Sequence, residues 1–241
     1  MFEWLKRMTQ ARPATKEEPE MDDVPFEVVV VHGTAAAQKL DELRHHAKEV
    51  VPVVFGDRDE LDDVVETMTL NESTFEDVLA RGEELDVAAW IRQKVEEDPE
   101  LYQTDAKDSD TVGPVQPLTV AFDILTQKPK PEVFIGLIPV AQPWHVPAYL
   151  RPGSWNDCPD PEVHVAFFKR WFEQYGAVVT VISHDIIEFS VAKPPSTQEQ
   201  ALALAHEQFV YCTDLVHQGV ETVNNLARTL LGTGNWYFWW D

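Results

Sequence analysis

Short β-branched runs alternate with segments of helical spacing between residues 24 and 97. The run FEVVVV at residues 26–31 has strand length and ends before a glycine, and residues 50–55 form a second such run. Between them, apolar residues recur at helical spacing over residues 35–48. This β-α-β order is compatible with parallel pairing through a right-handed crossover. Three more helices are predicted after the second strand, near residues 58–68, 73–81 and 86–97.

The second half of the chain predicts a similar mixture of strands and helices. The segment 141–161 contains five prolines and is too aromatic for a solvated linker, so we expect an ordered loop packed on the core. Residues 235–240 (NWYFWW) have strand propensity, and because an exposed aromatic strand would be hazardous, we expect an inner or covered strand. The other predicted elements are strands at 119–125, 132–140, 177–183 and 186–192 and helices at 162–175, 197–212 and 219–231.

These elements predict the α+β fold class, with small mixed sheets packed against helices in two structural units. Residues 1–12 have the apolar spacing of a short amphipathic helix, and the polar residues 13–23 are typical of a linker. A second polar stretch, residues 98–117, is broken by proline and glycine. We therefore divide the chain into an N-terminal segment at 1–23, an acidic unit at 24–110 and a C-terminal α+β unit at 111–241.

The charge of the chain is strongly negative and unevenly spread. Its 42 acids and 19 bases give a formal net charge of −23. Residues 1–110 hold 29 acids and 12 bases, a net of −17, whereas residues 111–241 hold 13 acids and 7 bases, a net of −6. Binding to nucleic acid and attachment to anionic lipid both need clustered Lys and Arg, so this balance argues against both kinds of partner.

Residues 57–100 concentrate this charge, with 16 acids and 4 bases, a net of −12. Such a pattern on helices is first of all a solvated face. The functional alternative is a negative platform that docks a protein with a basic surface, because such a field speeds encounter and suppresses wrong partners. The candidate binding residues are four acids of this stretch and three residues of the proline-rich loop: Asp59, Asp62, Asp63, Glu66, Trp144, Trp155 and Asn156.

The cysteine content and the apolar runs predict a soluble cytoplasmic protein. Two cysteines make no disulfide framework, and no run approaches the roughly 20 apolar residues of a membrane span or the apolar core of a signal peptide. We expect no cofactor, since the lone Gly33 after the first strand is not a nucleotide-binding motif. We expect no metal either, because no pair at i, i+4 spacing occurs among the candidate ligands His145, His164, His184, Asp185 and Asp214.

A cysteine and two histidines of the second half are the candidates for catalysis. A cysteine nucleophile needs a base within hydrogen-bond reach and a third group that orients the base. Cys158, with His164 or His145 and with Asp157, supplies these residue types, and Asp214 is a further acid near a helix end. The alternative is that Asp157 makes turn hydrogen bonds and that Cys158 is a small buried apolar residue. No catalytic residue is therefore assigned.

Several short segments of the second half occur in the order found in a bacterial protein family. They are residues 144–150 (WHVPAYL), 153–159 (GSWNDCP), 194–197 (PPST), 207–214 (EQFVYCTD) and 236–241 (WYFWWD). Together they resemble the bacterial family called domain of unknown function 4253, over about residues 135–241, whereas residues 1–110 carry no recognisable motif. That family has no established activity, so the resemblance implies a fold unit and a bacterial origin rather than a reaction.

Three classes of function remain compatible with these observations. The leading hypothesis is an acidic protein-binding module, including an immunity-like inhibitor of a basic toxin or effector, because the chain is acidic and has no complete catalytic motif. The first alternative is a small hydrolase-like enzyme that uses Cys158 with His164 or His145. The second is a structural component of a larger assembly, which would expose an apolar patch and pair through Trp239 and Trp240.

Overall fold

A six-stranded mixed sheet forms the centre of the structure, a computed structural model that describes residues 24–99, 107, 112–113 and 115–241. Its strands are β1 (Glu27–Val31), β2 (Val51–Gly56), β3 (Val133–Ile138), β4 (Ala177–Ile182), β5 (Ile186–Val191) and β6 (Asn235–Trp239). Their order is β1-β3-β2-β4-β5-β6; β2 and β4 are parallel, and the other neighbours are antiparallel. The predicted α+β class is confirmed.

Eight α-helices of the described residues pack around this sheet. They are α1 (Ala36–His46), α2 (Arg58–Leu70), α3 (Phe75–Glu84), α4 (Val87–Glu97), α5 (Val146–Leu150), α6 (Pro161–Tyr175), α7 (Gln198–Tyr211) and α8 (Val223–Leu230). No helix in this part of the chain has the length and apolar character needed to cross a bilayer. The predicted helix at 1–12, the linker at 13–23 and most of the linker at 98–117 lie outside the described residues.

Local sequence signals account for several helix ends. Helix α2 begins with a capping box, in which the Asp57 side chain accepts a hydrogen bond from the Glu60 backbone N–H at 3.3 Å and the Glu60 carboxylate accepts one from the Asp57 backbone N–H at 2.8 Å. Helix α6 begins at Pro161, whose missing N–H costs nothing at the first position, and ends before Gly176 in the left-handed conformation. Pro161 therefore marks the point at which the preceding loop ends and α6 begins.

Different helices and segments pack against the two faces of the sheet. Alternate residues of β2, such as Val53 and Phe55, point into a large core that also receives the apolar faces of α2, α6, α7 and α8. The intervening Val54 points to the opposite face, where α1 and residues 118–121 cover it. The larger core contains most of the buried aromatic side chains, which makes it the main site of hydrophobic stabilisation.

The sheet differs from the sequence-based prediction in how its strands are shared. We expected small sheets in two units, but residues 24–110 contribute β1 and β2 to the same sheet that receives β3–β6 from residues 111–241. Direct parallel pairing of β1 with β2, with which the local β-α-β order is compatible, does not occur, because β3 lies between them and is antiparallel to both. The two strands therefore run in the same direction without bonding to each other.

The strand predicted at 119–125 is replaced by a 3-10 turn at Thr119–Ala121. Leu118 has a left-handed φ of 56°, and the backbone N–H groups of Leu118 and Thr119 donate to the buried carboxylate of Glu188 on β5, at 2.6 and 2.7 Å. These contacts hold the segment across the face of the sheet, so it cannot pair as a strand at the edge.

The terminal strand is covered, as expected, although β6 lies at one edge of the sheet. Trp239 and Trp240 are buried, at 6% and 1% exposure. This corrects the expectation that these two side chains form a surface for pairing in a larger assembly. The helix predicted at 219–231 is split, because Glu221 adopts a left-handed φ of 71° between a π-helical turn at Leu215–Val220 and α8.

Candidate functional site

The loop before α6 is held in one conformation by close backbone contacts. Gly153 has a φ of +94°, and a Cβ there would lie 1.9 Å from the Pro159 carbonyl oxygen. The Ser154 side chain donates to Asp160 Oδ1 at 2.8 Å, and the Cys158 N–H donates to the Trp155 carbonyl at 2.9 Å. The prediction of an ordered loop is confirmed for these residues, and the loop presents Cys158 toward α6.

Cys158 and His164 do meet in space. The Cys158 Sγ atom lies 3.7 Å from His164 Nε2, and His164 Nδ1 lies 2.5 Å from the hydroxyl oxygen of Tyr211 at the end of α7. Burial disfavours a charged His164 imidazole, and the nearby Pro159 backbone opposes this effect in part by favouring a ring proton. Because the Pro159 carbonyl only accepts, we assign the ring proton to Nε2 and let Nδ1 accept from the Tyr211 hydroxyl. The tyrosine thus holds a neutral ring.

Burial keeps all three groups of this cluster uncharged. Desolvation lowers the pKa of His164 to about 3, since its side chain has no solvent exposure. Desolvation also raises the pKa of the Cys158 thiol and that of the Tyr211 hydroxyl. A nucleophilic cysteine instead needs a thiolate, which a protonated histidine or a helix N-terminus stabilises. The arrangement therefore ties the loop to α6 and α7 without activating the thiol.

The other predicted catalytic candidates do not complete this cluster. His145 lies elsewhere, with its ring against Trp144 and Phe75 and its Nε2 atom 4.0 Å from Glu83 Oε1. Asp157 is exposed beside Cys158, and Asp214 accepts a hydrogen bond from the Asp241 backbone N–H at 3.1 Å. The structure thus brings together Cys158 and His164 and leaves His145 apart.

A cleft of about 420 Å³ lies beside this cluster, between the end of α4 and the loop before α6. Trp90, Val163 and Tyr211 line its apolar part. Four acids and one lysine lie among its lining residues, namely Glu97, Asp98, Asp157, Asp160 and Lys94. All four acids are exposed, so the opening of the cleft is strongly negative.

Lys94 shows which chemistry this cleft accommodates. Its ammonium nitrogen lies 5.6 Å from the centre of the Trp90 ring and 3.5 Å from Glu97 Oε2. A cation over an aromatic face and beside a carboxylate is favourable on both counts. A basic group of another molecule can make the same two kinds of contact in place of Lys94.

The predicted binding residues divide between this cleft and other surfaces. Asn156 lines the cleft and donates to the Asp241 carbonyl at 2.6 Å, and Trp155 stacks on His184 with ring centres 4.7 Å apart. Trp144 packs on Phe172. The four predicted acids lie on α2 and none lines the cleft; Asp59 is exposed, Asp62 pairs with Arg58 at 2.7 Å, and Asp63 and Glu66 are half-buried.

Metal binding and a disulfide find no support in the described part of the chain. Within residues 24–99, 107, 112–113 and 115–241, no three His, Cys, Asp or Glu side chains are arranged to hold a metal ion. Asp185 accepts from the indole N–H of Trp239 at 3.1 Å. Cys158 and Cys212 are both free and buried, and the Cys212 thiol donates to the Trp239 carbonyl at 3.1 Å.

Two carboxylates, Glu188 (buried) and Glu60 (half-buried), were missed by the sequence analysis. Glu188 has no solvent exposure, and burial raises its pKa although Leu118 and Thr119 donate to it. Burial likewise raises the pKa of Glu60 to about 7, against the attraction of Lys130 at 2.8 Å. The signal for Glu188 is a lone acid in the apolar run IIEFSV. The signal for Glu60 is its D-x-x-E spacing from Asp57.

The comparison with known proteins identifies one part of the chain. A search of curated proteins and a search of solved structures each returned no match. Residues 134–241 match a family model whose description is Domain of unknown function (DUF4253). The matched part contains the loop before α6, His164 and Tyr211, and it excludes α1–α4. From residue 134 to residue 241, the chain therefore resembles the DUF4253 family.

Proposed function

We propose that this protein is an acidic protein-binding module whose cleft receives basic side chains of a partner protein. The observation that carries this proposal is the pairing of an aromatic wall with an acidic opening in one cleft of about 420 Å³. Arginine and lysine combine an apolar stem with a charged end. Such a side chain can pack against Trp90 while its charge meets Glu97 and Asp157.

The position of Lys94 supports this proposal from within the chain. A lysine of the protein itself already lies over Trp90 and beside Glu97. An arginine from a partner suits the site better still, since its planar guanidinium stacks on aromatic rings and bonds carboxylates through two parallel hydrogen bonds.

The charge around the cleft supports a protein partner with a basic surface. Helix α4, which contributes Trp90, Lys94 and Glu97 to the cleft, carries a further exposed acid, Glu96. Such a field raises the rate of encounter with a positively charged protein. More specifically, we propose a cytoplasmic immunity-like inhibitor that covers the basic surface of a toxin or effector. The two free cysteines fit the cytoplasm, which is a reducing compartment.

A small hydrolase-like enzyme is the second candidate, and one observation favours it. The thiol of Cys158 lies 3.7 Å from His164 Nε2 and borders the same cleft. Against it stand the raised pKa of that thiol and the lowered pKa of the imidazole, both from burial. Release of product from acyl or peptide ester substrates by the wild type, lost in Cys158→Ala, would favour this candidate over the first.

A peptide titration tests the binding proposal. The probe is capped hexa-arginine, and its control is hexa-citrulline, which keeps the shape of arginine without the charge. We expect hexa-arginine to shift the indole N–H resonance of Trp90 and the backbone resonance of Asp157 in a saturable way, with binding that weakens as salt rises. Equal shifts with hexa-citrulline, or shifts that avoid both residues, would contradict the proposal.

A further inference from the structure

A second pocket lies near the beginnings of the two parallel strands. It has a volume of about 350 Å³ and is lined by Val50, Val51 and Pro52 around the start of β2 and by Val178 of β4. Ser190 of β5 contributes a hydroxyl group. The guanidinium of Arg44, from the last turn of α1, is the one charged group among its lining residues.

The strand pairing accounts for the way Arg44 enters this pocket. The ladder between β2 and β4 comprises a single residue pair, Val54 opposite Val181. Pro52, two residues before Val54, has no N–H with which to bond β4. The Arg44 Nη2 group donates instead to the Val179 carbonyl on β4, at 3.1 Å. The Arg44 side chain thereby donates a hydrogen bond to a β4 carbonyl that β2 does not bond.

Arg44 forms no ion pair within the described part of the chain. The Arg44 Nε atom is buried without a hydrogen-bond partner. Burial lowers the pKa of this guanidinium, and the attraction of Asp41 offsets only part of that effect. Arg44 is half-buried, and a guanidinium that forms no ion pair beside an apolar pocket is a recognition group for an anion.

We propose that this pocket binds a small aliphatic carboxylate, whose charged group pairs with Arg44. The walls are apolar apart from Ser190, so they cover a hydrocarbon chain and offer little to a sugar or a phosphate. One guanidinium balances the single charge of a carboxylate and not the double charge of a phosphate monoester. A volume of about 350 Å³ lies near the lower end of the roughly 300–1,000 Å³ range of ligand pockets, which suits a small acid such as octanoate.

A titration with octanoate tests this proposal, and 1-octanol is the matched ligand without charge. We expect octanoate to shift the backbone resonances of Val51, Val178 and Ser190 in the wild-type protein in a saturable way. Octanol should bind at least about tenfold more weakly, because it cannot form the charged pair. The Arg44→Met variant, which keeps most of the apolar stem, should lose the preference for octanoate over octanol.

Several results would overturn the proposal. They are the absence of saturable shifts at these three residues, equal affinities of octanoate and octanol for the wild type, or an unchanged preference in Arg44→Met. If Arg44→Met does not fold, the wild-type comparison of octanoate with octanol decides by itself. The hexa-arginine titration reports on a different cleft, so failure of either proposal leaves the other standing.

Discussion

The imidazole of His164 accepts a hydrogen bond from the hydroxyl group of Tyr211, with 2.5 Å between Nδ1 and the oxygen. This bond joins the first turn of α6 to the end of α7, and the opposite ring nitrogen faces Cys158 in the loop before α6. The same contacts that bring a thiol and a histidine together also bury both of them. The cluster therefore stabilises the wall of the cleft, and three consequences can be measured.

We expect slow alkylation of Cys158. Burial raises the pKa of this thiol, so the thiolate that reacts with iodoacetamide is scarce at neutral pH. The rate in the native protein at pH 7.5, followed by mass spectrometry, should be at least about tenfold below that of a cysteine in a model peptide. Both cysteines should react at the peptide rate in urea. A native rate above the peptide rate would show an activated thiol and support the enzyme candidate.

His164 should make the protein sensitive to acid. Its pKa of about 3 in the folded state lies below the ordinary value of 6.5, so the unfolded state binds the extra proton between these values. Stability from this residue is complete above pH 6.5 and falls as pH drops toward 3, by about 1.4 kcal/mol per pH unit. The His164→Asn variant keeps an acceptor for Tyr211 and lacks the titration.

Urea unfolding of wild type and His164→Asn at pH 7, 6, 5 and 4 measures this effect. The difference in free energy of unfolding should shift steadily in favour of the variant as pH falls. A constant difference across that range would mean that His164 does not stay neutral in the folded protein.

Gly153 should tolerate no side chain. Its φ of +94° disfavours other residues, and a Cβ would lie 1.9 Å from the Pro159 carbonyl oxygen and 2.8 Å from His164 Nε2. We expect Gly153→Ala to lower the free energy of unfolding by about 2 kcal/mol or more. Gly113→Ala is the matched control, because nothing lies within 4 Å of a Cβ there. Equal stability of the two variants would refute this account of the loop.

Glu188 should be required for the segment that covers the second face of the sheet. Its carboxylate accepts from the N–H groups of Leu118 and Thr119, and an amide in its place would direct a donor at a donor. We expect Glu188→Gln to cost about 1–3 kcal/mol in urea unfolding, and the exposed Glu132→Gln to cost less than about 0.5. A neutral Glu188→Gln would indicate that the desolvation of this carboxylate outweighs its hydrogen bonds.

Elements whose causes lie within a short stretch of sequence were predicted well. The apolar spacing of residues 162–175, with Pro161 before it and Gly176 after it, predicts α6 to within one residue. The hairpin of β4 and β5 follows in the same way from two β-branched runs and a polar turn. These signals act over one or two helical turns, so the rest of the fold does not alter them.

Features that depend on distant contacts were missed or misjudged. The segment after Leu118 has strand composition, but Glu188, 70 residues further along the chain, holds it as a turn. A local β-α-β pattern likewise does not predict that β3, from a distant part of the chain, lies between β1 and β2. The choice of His164 over His145 as the neighbour of Cys158 depends on the path of a loop that Gly153 fixes.

The most direct test of the proposed function compares two variants of equal charge. One removes three acids at the cleft (Glu97→Gln, Asp98→Asn and Asp157→Asn), and the other removes three exposed acids away from it (Glu72→Gln, Glu76→Gln and Glu84→Gln). Each changes the net charge from −23 to −20. The measurement is the dissociation constant for capped hexa-arginine at physiological ionic strength. We predict at least about tenfold weaker binding by the cleft variant than by the other, and equal affinities would contradict a cleft that recognises basic side chains.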